Sequence, residues 1–150
     1  MTKIKTFLNE LANEIAVKLE NLKLCYVSHC FVDINPEFIG TETLQSCIEY
    51  TDWVDLKKKT RNIIQLKIRY HDWETDIVTF YPNKDGLIIK FIPGHCHRKN
   101  ETKSQIFNLN YNKSIDNIYE YIREAVDLDH KKLKRHELLQ VETQLIMEEA

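Results

Sequence analysis

The sequence predicts an α+β domain: an antiparallel β-meander of about five strands with N-terminal and C-terminal helices packed on it. Three observations carry that expectation. Ile64, Leu66, Ile68 and Tyr70 alternate with Gln65, Lys67 and Arg69, the period-two pattern of a strand with one wet face. The segments on either side, Leu44 to Leu56 and Trp73 to Tyr81, fit it in charge as well as in hydrophobicity. Apolar stripes at helical spacing lie towards both ends of the chain.

Taken in order, Lys3 to Leu22 reads as an amphipathic helix whose stripe is Ile4, Phe7, Leu8, Leu11, Ile15, Leu19 and Leu22. Leu24 to Val32 is apolar and β-branched enough for a strand. Asn35 to Thr43, with Pro36 and Gly40, is a loop. Three strands follow, the first two joined through Lys57, Lys58, Lys59 and Thr60. Asp85-Gly86 marks a turn into a strand over Leu87 to Ile92. Pro93-Gly94 ends it and opens a polar loop, His95 to Lys103. Gln105 to Tyr111 is the last strand. Ser114 caps a second helix whose stripe is Ile115, Ile118, Tyr119, Ile122, Ala125 and Val126.

A tight two-residue turn at His71-Asp72 sets Arg69 opposite Glu74 and Lys67 opposite Asp76. The same register turns Tyr50, Tyr70, Trp73 and Tyr81 towards the core, and Glu49 stands opposite Arg69 on the other neighbour. The outer sheet face is then charged at one end (Glu49, Lys67, Arg69, Glu74, Asp76) and apolar at the other (Trp53, Ile63, Val78, Phe80, Ile88). The apolar end needs a cover, either a segment of this chain or a partner protein.

A chain of 150 residues with 43% hydrophobic and 29% charged content is one globular domain. A net charge of −2 supplies no global attraction to nucleic acid or membrane. No apolar run approaches the ~20 residues of a membrane span, and Lys3, Lys5, Asn9 and Glu10 interrupt the apolar core that a secretory signal would need, so none is expected. Cys25, Cys30, Cys47 and Cys96, without C-x-x-C spacing, read as reduced thiols in a cytoplasmic protein. Beyond Asp127 the stripe breaks. A basic turn from His130 to His136 precedes a new stripe through Leu138, Val141 and Leu145, giving an extended helical tail over 129–150. That helix suits self-association or partner contact.

Candidate chemistry is sparse. His95-Cys96-His97 is the densest group of metal-ligand residue types, but three adjacent loop residues seldom face one point, so neither metal nor cofactor is expected. No local signature supports a Cys96–His nucleophile pair. Asp52 or Asp55 with Gln65-x-Lys67 loosely matches the acidic-x-Lys arrangement of restriction-type nucleases, but the register engages Lys67 elsewhere. The sequence therefore reads as a small non-enzymatic protein-binding domain of adaptor, chaperone or inhibitor type. Its expected contact residues are Trp53, Ile63, Phe80, Ile88, Leu138, Val141 and Leu145. The competing expectation is nucleic-acid binding or processing through Lys57, Lys58, Lys59, Arg61, Arg98, Lys131, Lys132, Lys134 and Arg135.

Overall fold

The first apolar stripe folds as α1, Lys3–Asn21, with Leu8, Leu11, Ala12, Ile15, Ala16 and Leu19 buried and Leu22 left outside. Lys23 takes a left-handed φ of 51°, a conformation that commonly closes a helix. The structure is a computed structural model and describes residues 3–24, 26–36, 62–83, 86–108 and 115–126.

Five antiparallel strands follow in the spatial order of the sequence: β1 (Val27–Asp33), β2 (Ile64–Tyr70), β3 (Thr75–Asn83), β4 (Gly86–Ile92) and β5 (Lys103–Phe107). A 3₁₀ helix, Cys96–Glu101, links β4 to β5. A second helix, α2, covers 115–126. The α+β meander with a helix towards each end is thus the observed architecture. Both helices share one core with one sheet face: Leu8, Leu11 and Ile15 of α1 and Ile118 and Ile122 of α2 join Ile64, Leu66, Ile68, Val78, Phe80, Ile89 and Phe91. Each such Leu or Ile contributes about 1.5–3 kcal/mol by leaving water.

The neighbours and the register differ from the sequence expectation. The strand beside β2 on its first edge is β1, so His29 occupies the place opposite Arg69 expected for Glu49. The two neighbours of β2 are β1 and β3, and Leu44 to Leu56, expected beside it, lies outside the described residues. On the other side the pairs are Arg69 with Thr75, Lys67 with Ile77 and Ile68 with Asp76, one residue away from the charge-matched register. The cause is the turn. A two-residue turn of the twisted type places positive φ at both central residues, positions that favour Gly or Asn, and neither His71 nor Asp72 is either. The chain uses three residues instead, His71, Asp72 and Trp73, and only Trp73 has positive φ, 72°.

One residue of register moves a whole strand to the opposite face. Val78 and Phe80, expected on the outer face, lie fully buried in the core, as does Asp76. Lys67 pairs with Asp33 of β1 at 3.2 Å instead of with Asp76. The outer face keeps Lys67, Arg69, Ile63 and Ile88, and carries a buried pair in which Gln65 Nε2 donates to Thr79 Oγ1 at 3.3 Å.

Gly86 pairs with Asn83 and has φ of 145°; a Cβ there would sit 2.5 Å from the Phe107 carbonyl oxygen. This backbone approach and φ make glycine necessary where β3, β4 and β5 meet. At the other edge of the sheet the Cys30 N–H of β1 donates to Glu20 Oε1 at 3.0 Å, so α1 caps a group of that edge. Burial, and then the charge of Glu20, push the Cys30 thiol up to about 12, which keeps it a protonated, unreactive core residue.

The face assignment has a direct thermodynamic consequence. Phe80→Ala should lower the free energy of unfolding by about 3–5 kcal/mol in urea titrations, as loss of a core aromatic does. Lys67→Ala should cost less than about 1 kcal/mol. Comparable effects from the two substitutions would contradict the register.

Candidate functional site

The β2–β3 hairpin tip is a surface feature whose geometry follows from short-range bonds. Trp73 N–H donates to the Tyr70 carbonyl at 3.1 Å and Tyr70 N–H to the Glu74 carbonyl at 2.9 Å. This is a three-residue loop with its last residue left-handed. Asp72 Oδ1 accepts the Glu74 N–H at 3.1 Å, the two-residue-ahead bond that suits aspartate to turns. His71 N–H donates to the Tyr26 carbonyl at 3.1 Å, tying the tip to the start of β1.

Behind the tip lies a polar network. Asp76 is fully buried. Its carboxylate accepts the Tyr70 hydroxyl on one oxygen and the Gly94 N–H, at 2.8 Å, on the other. Gly94 lies flat on β3: a Cβ there would stand 2.2 Å from the Thr75 carbonyl oxygen. The buried His95 packs its ring 5.0 Å from that of Tyr70 and places Nε2 3.0 Å from Asp72 Oδ2. The loop after β4 is thus bolted to the hairpin from both sides, through Asp76 inside and Asp72 at the tip. Arg98 completes the bracket. It is buried, ion-paired with Glu101, and its guanidinium lies 5.8 Å from the Phe91 ring centre.

The network displays Trp73. Trp73 is 80% exposed, more than any other large hydrophobic residue among the described residues, and it projects from a backbone region that bulky residues rarely adopt. The sequence had placed Trp73 in the core; the three-residue loop puts it outside. Glu74 beside it is exposed, and Asp72 is half-exposed. The arrangement is that of an aromatic knob with acidic flanks on a pinned loop. His95 is turned inwards against Tyr70, so its chemical role is to position Asp72.

The residues expected from sequence distribute as follows. Ile63 and Phe80 are fully buried and Ile88 is half-buried. Trp53, Leu138, Val141 and Leu145 lie outside the described residues, as does the whole tail over 129–150. Lys57, Lys58, Lys59, Arg61, Lys131, Lys132, Lys134 and Arg135 also lie outside them. Arg98 serves the interior bracket. Among the described residues no three His, Cys, Asp or Glu side chains gather where a metal ion would sit, and no helix is long and apolar enough to cross a membrane. The sequence pattern places Trp73 in the core and Asp76 on the outer face, the reverse of what the structure shows. The sequence signal that bears on both is the absence at 71–72 of Gly or Asn, the residues a two-residue turn prefers; one more residue in the turn reverses their faces.

A second feature is a cleft of about 320 Å³ between β5 and α2, lined by Gln105, Phe107, Asn117, Glu120, Tyr121 and Glu124. Phe107 and Tyr121 meet edge to face at 5.6 Å on its floor. Tyr121 donates its hydroxyl to the Lys103 carbonyl at 3.1 Å, and burial pushes its phenol up to about 12, preserving the donor.

Compared with known proteins, the chain matches no protein-family model, no curated protein and no solved structure.

Removing the inner bolt should be costly. Asp76→Ala leaves the Tyr70 hydroxyl and the Gly94 N–H without their acceptor, at about 1–3 kcal/mol for each buried group. Glu74→Ala, two residues away but exposed, should change stability by less than about 0.5 kcal/mol. Thermal or urea unfolding of the two variants checks this, and a larger loss for Glu74→Ala would contradict it.

Proposed function

We propose that this chain is a non-enzymatic protein-binding domain, and that Trp73 on the β2–β3 tip is the anchor it inserts into its partner. The observation that carries the reading is the combination at that residue: high exposure together with a positive φ. A bulky side chain in left-handed backbone costs on the order of 1–2 kcal/mol. Folding alone favours glycine or asparagine at such a position. The strain is held by bonds at His71, Asp72 and Glu74 and by the network behind them, so the tip arrives at a partner already ordered.

Tryptophan is enriched among residues that dominate binding energy, because one rigid ring buries a large area. Acidic Asp72 and Glu74 at its sides favour a partner pocket rimmed by Lys or Arg. The same charges disfavour an anionic membrane or a phosphate backbone as the target. Cysteine usage suits action in the reducing cytoplasm.

Trp73→Asn separates binding from folding, since asparagine tolerates positive φ. The variant should be at least as stable as the parent, by up to about 1 kcal/mol. In affinity capture from the native cell, a partner retained by the parent after nuclease treatment should be lost with Trp73→Asn. Capture that survives the substitution contradicts the proposal. Capture abolished by nuclease supports the nucleic-acid reading instead.

A further inference from the structure

The two edges of the sheet are treated differently. The β1 edge has its Cys30 N–H capped by Glu20 of α1. The β5 edge pairs with no further strand among the described residues, and Lys103, Ser104, Gln105 and Ile106 are all exposed. Ile106 is 53% exposed and stands beside the half-buried Ile88 on the outer face, an apolar pair at the edge that no other described strand covers. Edge strands with free backbone groups are templates for another strand, and proteins that avoid this place charges, bulges or proline on them. The stretch Lys103–Phe107 has one lysine at its start and no proline.

From this edge we infer that β5 is a homodimer interface, at which a second copy of the chain pairs its own β5 antiparallel about Gln105, joining two five-stranded sheets into one. The sequence of the strand is complementary to itself in this arrangement. Lys103 falls opposite Phe107 of the second copy, Gln105 opposite Gln105, and Ser104 opposite Ile106. The two Ile106 side chains become diagonal neighbours on the outer face, within reach of each other.

Charge supplies the selection for a second copy over an arbitrary strand. Odd-numbered residues of β5 lie on the α2 side, where Gln105 and Phe107 line the cleft with Glu120 and Glu124. Lys103 of the incoming copy therefore arrives beside a cleft that holds two carboxylates. Glu120 is shared with Arg123 at 3.3 Å, whereas Glu124 has no ion pair among the described residues. The two-fold axis repeats the contact, so each chain provides one lysine and one acidic cleft. Closed two-fold pairing of this kind is the commonest symmetry of soluble oligomers. The interface is separate from the Trp73 tip and stands or falls independently of it.

Sedimentation equilibrium of the purified full chain tests the inference. The parent should be a dimer, and Ile106→Lys, which brings two like charges together across the axis, should be a monomer with an unchanged circular dichroism spectrum. Lys103→Glu should weaken the dimer about tenfold, the two charge contacts between Lys103 and the partner chain's acidic cleft being lost. Combining it with Glu124→Lys should restore affinity to within a few-fold of the parent, an outcome a merely structural disturbance would not give. A parent that stays monomeric at every soluble concentration overturns the proposal. So does a dimer that Ile106→Lys leaves intact, or a charge swap that fails to restore pairing.

Discussion

The whole of the β2–β3 tip depends on a buried carboxylate. Asp76 sits on the core side of β3 opposite Ile68, where an unsatisfied acid would be expensive. It is tolerated because Tyr70 and Gly94 both donate to it. Those two bonds link elements that the chain separates, the hairpin and the loop after β4. The hairpin cannot slip by a residue without taking Asp76 out of reach of both donors. The cost of burying the acid is thus converted into a fixed register, and the register determines that Trp73 faces water.

The same constraint holds the tip in place. A three-residue loop with a left-handed tryptophan would fluctuate if it hung free. Here Asp72 bonds both the Glu74 N–H and the inward-facing His95, whose ring packs on Tyr70. Tyr70 is therefore common to the inner and outer halves of the network: its hydroxyl serves Asp76 and its ring supports His95. A preordered tip loses little conformational entropy when a partner closes over it, and that is where much of the affinity of rigid anchors originates. A dimer through β5 would present two such tips from one assembly and raise their combined avidity.

Much of the fold was legible in the sequence, for reasons that can be named. The helical stripe of Leu8, Leu11, Ile15 and Leu19 and the alternation of Ile64, Leu66, Ile68 and Tyr70 are dictated by burial on one side, a strong and local signal. The core parity of β2 followed directly. The parity of β3 did not, because charge pairing across a hairpin is worth only a few tenths of a kcal/mol, less than the backbone requirement of a two-residue turn lacking Gly or Asn. Lys67 finds its acid in Asp33, a neighbour that only the fold brings near. The site was hidden for the same reason. Asp76 and Trp73 look like a surface charge and a core aromatic until one residue is added to the turn.

The central claim is therefore the register of β2 against β3, and nuclear Overhauser contacts between α-protons measure it most directly. Tyr70 and Glu74 face each other as a hydrogen-bonded pair, so the close α-proton pairs fall at the alternate positions. The account predicts contacts between the α-protons of Lys67 and Ile77, and of Arg69 and Thr75. An α-proton contact between Lys67 and Asp76 would place that acid on the outer face, turn Trp73 inwards and contradict the account.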